Sequence, residues 1–150
     1  MGLTQNVGDR IHLINQKLSG VLACRYWIAE LERAPLIVPL VGPETKAIQT
    51  AGAEQFSAER IWTLFCVVGT WTHGLPSKSA SAAAEDIIDQ ITESYMTRPR
   101  LEYNGAPLNW VERAELGSDD GIFQYADDYA ALRFPLTVTT RRSVTYNSSD

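Results

Sequence analysis

Residues 60–71, RIWTLFCVVGTW, form the stretch that most constrains what this chain can fold into. The stretch is rich in β-branched and aromatic residues, a composition typical of a β-strand. Its middle is apolar at successive positions, so both faces of the strand have to be covered. We therefore expect a central strand, and the rest of the chain has to supply its neighbours and its cover.

The residues before this strand predict one helix and two further strands. An amphipathic helix is predicted from apolar residues that follow one another at spacings of four, four, three and four: Leu3, Val7, Ile11, Ile14 and Leu18. Thr4 is the expected N-cap of this helix, and Gly20 lies just past its end. Residues 21–28 predict a strand from their β-branched and aromatic content. The apolar run 34–41, which is framed by prolines, predicts another strand. This strand has to be short, bulged or at an edge of the sheet, because Pro39 has no N–H to donate to a neighbouring strand.

Residues 42–57 contain Gly, Pro, Thr and Gln without a sustained period, and they predict the longest loop of the chain. Most connections in compact domains have about 4–6 residues, and much longer ones are usually functional or ordered by a partner. We therefore expect this loop to be mobile in a free subunit. Partner contacts are expected from Glu44, Lys46, Gln49 and Gln55.

A second amphipathic helix follows a break at residues 73–78 and ends at residues 97–99. Serines begin it, and its apolar face consists of Ala84, Ile87, Ile88, Ile91 and Tyr95. Glu85, Asp89 and Glu93 repeat on the opposite face, where like charges four residues apart repel each other. This acidic stripe is either an ordinary solvated face or a surface toward a basic partner or passing nucleic acid.

The last third of the chain predicts two more strands. Residues 108–116 form one, with Trp110 inside it, and residues 117–121 have turn composition. Residues 129–140 alternate between apolar and polar side chains, which predicts a strand with one buried face, and residues 141–150 form a polar tail. The resulting order α-β-β-β-α-β-β predicts an α+β fold in a single domain over residues 1–150, a mixed or antiparallel sheet packed by two helices.

Charge and composition exclude several classes of protein. Thirteen Lys and Arg against 18 Asp and Glu give a net charge of −5, which disfavours sequence-independent binding to nucleic acid. We expect no membrane association, since no apolar run approaches the roughly 18 residues that span a bilayer. The beginning of the chain lacks the pattern of a secretory signal, so folding in a reducing cytoplasm is expected. Cys24 and Cys66 are then small buried hydrophobes, although their spacing leaves a bridge between them open.

The residues that carry chemistry do not form a recognisable catalytic or metal pattern. His12 and His73 have no second ligand at metal-binding spacing. The acidic pairs Asp119–Asp120 and Asp127–Asp128 match turn chemistry better than a calcium loop, with a cation site as the alternative. No nucleophile elbow or phosphate-binding glycine motif is present. We expect no enzyme, no catalytic residue, no metal and no cofactor.

The four tryptophans are the other candidates for contact with a partner. Trp27, Trp62, Trp71 and Trp110 fall in or beside predicted strands, and a domain of this size has more apolar strand surface than one small layer can cover. Oligomer interfaces use such aromatic side chains. Burial in the subunit and a role in an interface therefore both stay open for them.

The layout of the chain resembles the tail terminator, or tail completion, proteins of tailed bacteriophages. The resemblance runs from the first helix to about residue 142. It includes the proline-framed strand 34–41, the tryptophan-bearing strand 62–68, the acidic helix 80–96, and an Asp-rich loop that leads into the aromatic-headed final strand. The segment between the second and third strands and the polar C-terminus are longer here than is usual in that family.

The resemblance implies a structural virion protein at the junction of head and tail. Members of the family form a hexameric ring on the head-proximal end of the tail tube, stop its polymerisation and present a docking surface to the head-side connector. The expected partners are therefore other copies of this chain, the tail tube protein and the connector, with genomic DNA passing through without specific binding along an acidic lumen that includes Glu85, Asp89 and Glu93. Alternatives are another neck or minor tail protein, a non-catalytic protein- or ligand-binding module and, last, a metal-dependent enzyme.

Overall fold

The computed structural model describes residues 2–27, 34–49 and 55–143, and their secondary structure confirms the α+β class and the predicted order of elements. Two short strands, β4 and β6, are added to that order. The elements are α1 (Leu3–Asn15), β1 (Leu22–Ala23), β2 (Leu36–Gln49), β3 (Gln55–Thr72), β4 (Leu75–Pro76), α2 (Lys78–Met96), β5 (Val111–Leu116), β6 (Phe123–Tyr125) and β7 (Tyr129–Ser143).

The sheet has the strand order β1-β2-β3-β7-β5, with β4 paired to β3 and β6 paired to β7. The β1–β2 pair is parallel and all others are antiparallel. The long strand β3 lies between β2 and β7, with Cys66 opposite both Ile37 and Leu132. The central position predicted for residues 60–71 is therefore confirmed.

Both helices pack on one face of the sheet and form the main hydrophobic core there. Alternate residues of β3 and β7 point toward them, as the period of two in a strand requires. The largest contributors from the strands and helices are Trp62, Leu64, Phe134, Leu136, Ile11, Ile14, Ile87, Ile91 and Tyr95. Among the described residues, neither helix is long and apolar enough to cross a membrane.

The two helices begin and end differently from each other. In α1 the N-cap is Gly2 rather than Thr4, and the helix ends at Asn15, so Leu18 reaches the core from the following turn. Helix α2 has the predicted serine cap, since Ser77 Oγ accepts a hydrogen bond from the backbone N–H of Ala80 at 3.2 Å. This cap satisfies one of the free N–H groups at the start of the helix.

The strand predicted at residues 21–28 is wrong except for Leu22 and Ala23. After Cys24, whose N–H donates to the Ile37 carbonyl at 2.8 Å, the chain leaves the sheet. Arg25 then binds Asp9 of α1 at 2.7 Å. Contacts with α1 and with the sheet face opposite the helices therefore decide the conformation of these residues, in spite of their local preference for a strand. Residue 28 lies outside the described residues.

The loop predicted at residues 42–57 is wrong, because β2 and β3 pair as an antiparallel ladder through most of it. Glu44 lies opposite Arg60, and Gln49 lies opposite Phe56. Register shifts between Val41 and Glu44, and again by Lys46, mark bulges that break the period of two. Because of these bulges, apolar and polar residues do not alternate regularly along this part of the sequence. Residues 50–54 lie outside the described part of the chain.

Pro39 is accommodated at an edge, as predicted, but within a strand of 14 residues rather than a short one. The Ile37 carbonyl faces β1, and backbone groups two residues apart on a strand point the same way, so the Pro39 nitrogen faces that outer side as well. No described strand lies there beyond Ile37. The missing N–H therefore removes no ladder bond.

The strand predicted at residues 108–116 begins later, at Val111. Trp110 precedes it in a turn with a φ of 73°, so it is not inside the strand. The final strand is longer than predicted and includes residues 141–143 of the expected polar tail, because β3 continues opposite them to Gln55. Residues 144–150 lie outside the described part of the chain.

Candidate functional site

The sheet face opposite the helices carries a cluster of four aromatic side chains, Trp27, Phe65, Phe123 and Tyr125, which we call the aromatic cluster. The Phe65 ring packs edge-on against the rings of Trp27 (5.4 Å between centroids), Phe123 (6.0 Å) and Tyr125 (5.1 Å). Trp27 also contacts Tyr125 at 5.7 Å. Edge-to-face contacts at these distances stabilise aromatic packing beyond the area that they bury.

The aromatic cluster lies on a floor of buried strand residues. Leu36 and Val38 of β2, Val67 of β3 and Ala131 of β7 form it. Among the described residues, no helical side chain belongs to this second hydrophobic group. Trp27 keeps 38% of its surface exposed, so the group is only partly covered.

Away from the aromatic cluster, the same sheet face is mixed, with threonines beside the partly exposed Ile61 and Pro135. Thr63 of β3 and Thr137 and Thr139 of β7 alternate with the core residues of their strands. Exposed ion pairs border this area, among them Arg133–Asp120 at 3.1 Å and Arg113–Glu115 at 2.9 Å. Such pairs contribute little stability in water, so this part of the face is ordinary solvated surface.

A second candidate surface surrounds Trp110, which is 51% exposed. It lines an open groove of about 480 Å³ together with Arg100, Val111, Glu112 and Arg141. Arg100 Nε donates to the Val111 carbonyl at 3.0 Å, and Arg141 Nε donates to Glu112 Oε1 at 2.8 Å. An exposed indole therefore shares this groove with two arginines whose side chains are held by hydrogen bonds.

Arg10 of α1 and Lys17 of the turn after it contact the segment 98–112 that carries this groove. Arg10 Nη1 donates to the carbonyls of Leu101 and Ala106, both at 2.8 Å. Lys17 Nζ lies 4.5 Å from the centroid of the Tyr103 ring. The Ala114 N–H donates to the Pro99 carbonyl at 2.6 Å, so this segment also covers the outer edge of β5.

We call the region formed by this segment and the cationic side chains around it the basic end. Its positively charged residues are Arg10, Lys17, Arg98, Arg100 and Arg141, and the acidic residues bonded to it are Glu102 and Glu112. Five positive and two negative charges leave it at +3, against −5 for the whole chain.

The four predicted interface tryptophans fall into two groups. Trp62 is 3% exposed in the main core, so the subunit itself buries it and the interface prediction is wrong for this residue. Trp71 is partly buried against the same core, with an indole N–H that has no partner among the described residues. Trp27 and Trp110 are the two that present apolar surface to solvent.

The predicted loop residues lie on paired strands instead of a loop. Glu44, Lys46 and Gln49 belong to β2 and Gln55 to β3, and their backbones are paired as far as Gln49–Phe56 and Gln55–Ser143. Glu44 is exposed and borders a small crevice beside Thr4 and Arg60. A contact with a partner at these positions stays a prediction, on strand rather than loop residues.

The acidic residues of α2 lie exposed on the side of the helix away from the sheet. They are Glu85, Asp86, Asp89 and Glu93. Asp86 accepts a hydrogen bond from Gln90 at 2.7 Å, and among the described residues no Lys or Arg lies within 4.0 Å of any of the four carboxylates. No ion pair within the described part of the subunit therefore neutralises this acidic face, although Glu93 at its end lines an open groove together with Lys17 and Arg98.

The acidic turn residues have structural partners. Asp119 Oδ2 accepts from the N–H of Gly121 at 3.0 Å, a local turn bond at a glycine with a φ of 83°. Asp120 pairs with Arg133, and the Asp127 carbonyl accepts from Gln124 at 2.8 Å. Among the described residues, no three His, Cys, Asp or Glu side chains come together as metal ligands.

Burial shifts the pKa of Cys24, Cys66 and His12 in the direction that favours the uncharged form of each. Burial raises the pKa of the Cys66 thiol, and it also raises that of the partly buried Cys24; both thiols are free, so the bridge that their spacing left open does not form. Burial, and then the charge of Arg25, lower the pKa of His12. Neither thiol is a reactive thiolate.

Sequence reasoning missed Phe65, Phe123 and Tyr125 in the aromatic cluster and the arginines of the basic end. The spacing of Phe123 and Tyr125 by two residues just before a turn was a usable signal, because it puts both on one face of a short strand. Arg100 and Arg141 are far apart in the sequence, so no local pattern pairs them.

The chain matches no protein-family model, and no curated protein is significantly similar to it in sequence.

Proposed function

We propose that this chain is a non-catalytic structural subunit of a bacteriophage tail, a tail terminator that assembles into a ring at the head-proximal end of the tail tube. The proposal starts from the layout of the sequence, in which two helices and a long final strand stand in the order typical of that family. The order of elements in the fold agrees with this layout.

The observation that carries the proposal is the partly covered hydrophobic group on the sheet face opposite the helices. An antiparallel sheet with one solvated face ordinarily has polar residues there. Here that face holds Phe65 over Val38 and Val67, with Trp27 38% exposed above them. Apolar surface of this kind is typical of an interaction site.

The charge distribution supports a subunit whose partners are proteins. The chain has a net charge of −5, while five of its 13 basic residues lie together at the basic end, and its helix α2 presents four carboxylates that form no ion pair among the described residues. Opposite charges on separate surfaces favour association in a fixed orientation. In the proposed ring the partners are other copies, the tail tube protein and the connector, and DNA passes without specific binding.

Loss of the gene in the phage that encodes this chain tests the function. Without a terminator we expect tails of uncontrolled length that do not join heads, and restoration of normal particles when the wild-type gene is supplied. A Trp27→Ala variant should fold, because Trp27 is not in the main core, yet complement poorly. Tails of normal length that join heads in the absence of this chain would contradict the proposal.

A further inference from the structure

We propose that the acidic face of α2 in one subunit docks on the basic end of a second copy, with Trp110 as the anchor of the contact. This inference rests on the proposed ring and names the surfaces that join its subunits. It commits to a second copy of this chain as the occupant of the groove beside Trp110, because the chain itself presents the complementary charge.

The carboxylates of the acidic face have no ion-pair partner among the described residues of their own subunit, and one of the four, Glu93, shares a groove with two cations, Lys17 and Arg98. Glu85 and Asp89 are one turn apart and repel each other, as do Asp89 and Glu93. No Lys or Arg lies within 4.0 Å of them in the described part of the chain. Met96, 68% exposed, extends the same side of the helix by another turn and adds apolar surface to it.

The basic end is the complementary surface. Its net charge of +3 stands against −4 on the acidic face, and Arg100 has no carboxylate partner for its guanidinium in the described residues. Arg10 ties the segment to α1 through two carbonyls, so the surface is fixed before a partner arrives. A preorganised surface loses less conformational entropy when it binds.

Trp110 has the features of an anchor residue. It is half exposed in the groove that Arg100 and Arg141 also line, and its backbone adopts a left-handed φ of 73° that a bulky residue rarely takes. Strained conformations of this kind cluster at sites of binding. Tryptophan and arginine are also the residue types most enriched among the strongest contacts of interfaces.

The two surfaces consist of different residues, so their contact is heterologous. Repeated heterologous contacts close into a ring when the rotation between subunits permits it. Sheet extension is a poorer route, because β2 carries Pro39 at its outer edge and segment 98–112 covers the edge of β5. Helix-to-groove contact leaves the aromatic cluster free for a different partner.

Charge reversal on either surface, followed by sedimentation velocity at low salt, tests the contact. We expect the wild-type chain to form a discrete oligomer that weakens as salt is added. Glu85→Lys/Asp89→Lys on one side, or Arg100→Glu/Arg141→Glu on the other, should each raise the concentration needed for assembly roughly 10-fold or more. A chain with all four changes should recover assembly, and Trp110→Ala should weaken it with no change of charge.

Glu115→Lys/Asp128→Lys is the control matched to the Glu85→Lys/Asp89→Lys pair, because it makes the same change of charge at exposed residues outside both surfaces and removes only the solvent-exposed ion pair of Glu115 with Arg113. Circular dichroism and melting temperature verify that each variant is folded. Assembly unaffected by both reversals, no recovery in the combined chain, or a wild-type chain that stays monomeric at every concentration would overturn the inference. If the charge reversals do not change assembly while loss of the gene still gives overlong tails, the proposed contact is wrong and the proposed function is unaffected.

Discussion

At the scale of single residues, the main core contains a buried polar pair that joins the two helices. Tyr95 of α2 donates its hydroxyl proton to Asn15 Oδ1 of α1 at 2.5 Å, and both residues are fully buried. Burial raises the pKa of Tyr95, so the neutral phenol is the form that is present. Asn15 Nδ2 has no partner among the described residues, which leaves Tyr95 as the group that stabilises this amide.

Tyr95→Phe should therefore destabilise the protein by about 1–3 kcal/mol, because it leaves a buried amide without its partner. Adding Asn15→Leu should recover part of that loss, since an apolar pair of similar size has no unmade hydrogen bond. Chemical denaturation measures both, with Tyr26→Phe at an exposed residue as the control. A double variant no more stable than Tyr95→Phe would contradict the role of the pair.

His12 gives the protein a specific sensitivity to acid. Burial and Arg25 lower its pKa in the folded state, whereas the unfolded chain binds a proton near the ordinary value of about 6.5. The contribution of neutral His12 to the free energy of unfolding is fully present above pH 6.5. It is lost as the pH falls toward and through the lowered pKa, because the unfolded state then binds more protons than the folded state. His12→Gln should reduce the dependence of the free energy of unfolding on pH between pH 7.5 and 5.5. An unchanged dependence would contradict this role of His12.

At the scale of elements, one close approach fixes α2 against the central strand. A Cβ added at Gly69 of β3 would lie 2.6 Å from the Cβ of Ala80 and 3.0 Å from its Cα. Those atoms belong to the first turn of α2, just after its Ser77 cap. The helix can lie this near the strand because neither residue has a large side chain.

Gly69→Ala should cost about 1–3 kcal/mol, since helix and strand have to separate to admit the methyl group. Gly2→Ser is the control, because the space around Gly2 is open and serine suits an N-cap. Thermal denaturation of both variants checks this. A Gly69→Ala protein as stable as the wild type would show that α2 is not held by this contact.

Arg10 connects α1 to the segment that carries Trp110. Arg10→Ala removes two hydrogen bonds to carbonyls of that segment, so its amides should exchange faster while those of α2 and β3 stay protected. Arg113→Ala, which removes an exposed cation paired with Glu115, should leave the pattern unchanged. Hydrogen exchange followed by mass spectrometry makes the comparison, and equal exchange in both variants would contradict this role for Arg10.

The elements that could be predicted from the sequence are those whose period runs without interruption. The apolar residues of helix α2 and of strands β3 and β7 follow one regular period along each element. The predicted bounds of these three elements therefore lie close to the bounds in the structure. Strand β2 was missed beyond Val41 because two bulges shift its register. The strand expected at residues 21–28 was overestimated because Arg25 and Trp27 are held by contacts with α1 and Phe65, which no local pattern encodes.

At the scale of the whole molecule, the fold separates surfaces with different chemistry. The aromatic cluster lies on the sheet face opposite the helices, the acidic face lies on α2, and the basic end surrounds segment 98–112. The acidic and exposed aromatic candidates Glu85, Asp89, Trp27 and Trp110 were visible in the sequence. The basic end was not, because its arginines come from α1, β7 and the segment after α2.

The proposed function is tested most directly by a three-dimensional reconstruction of the head–tail junction of a phage particle assembled with this chain. We predict a closed ring of copies of this fold, most simply six, between the tail tube and the connector, with α2 of each copy against the segment 98–112 of the next. A junction without density for this fold would contradict the proposed function outright.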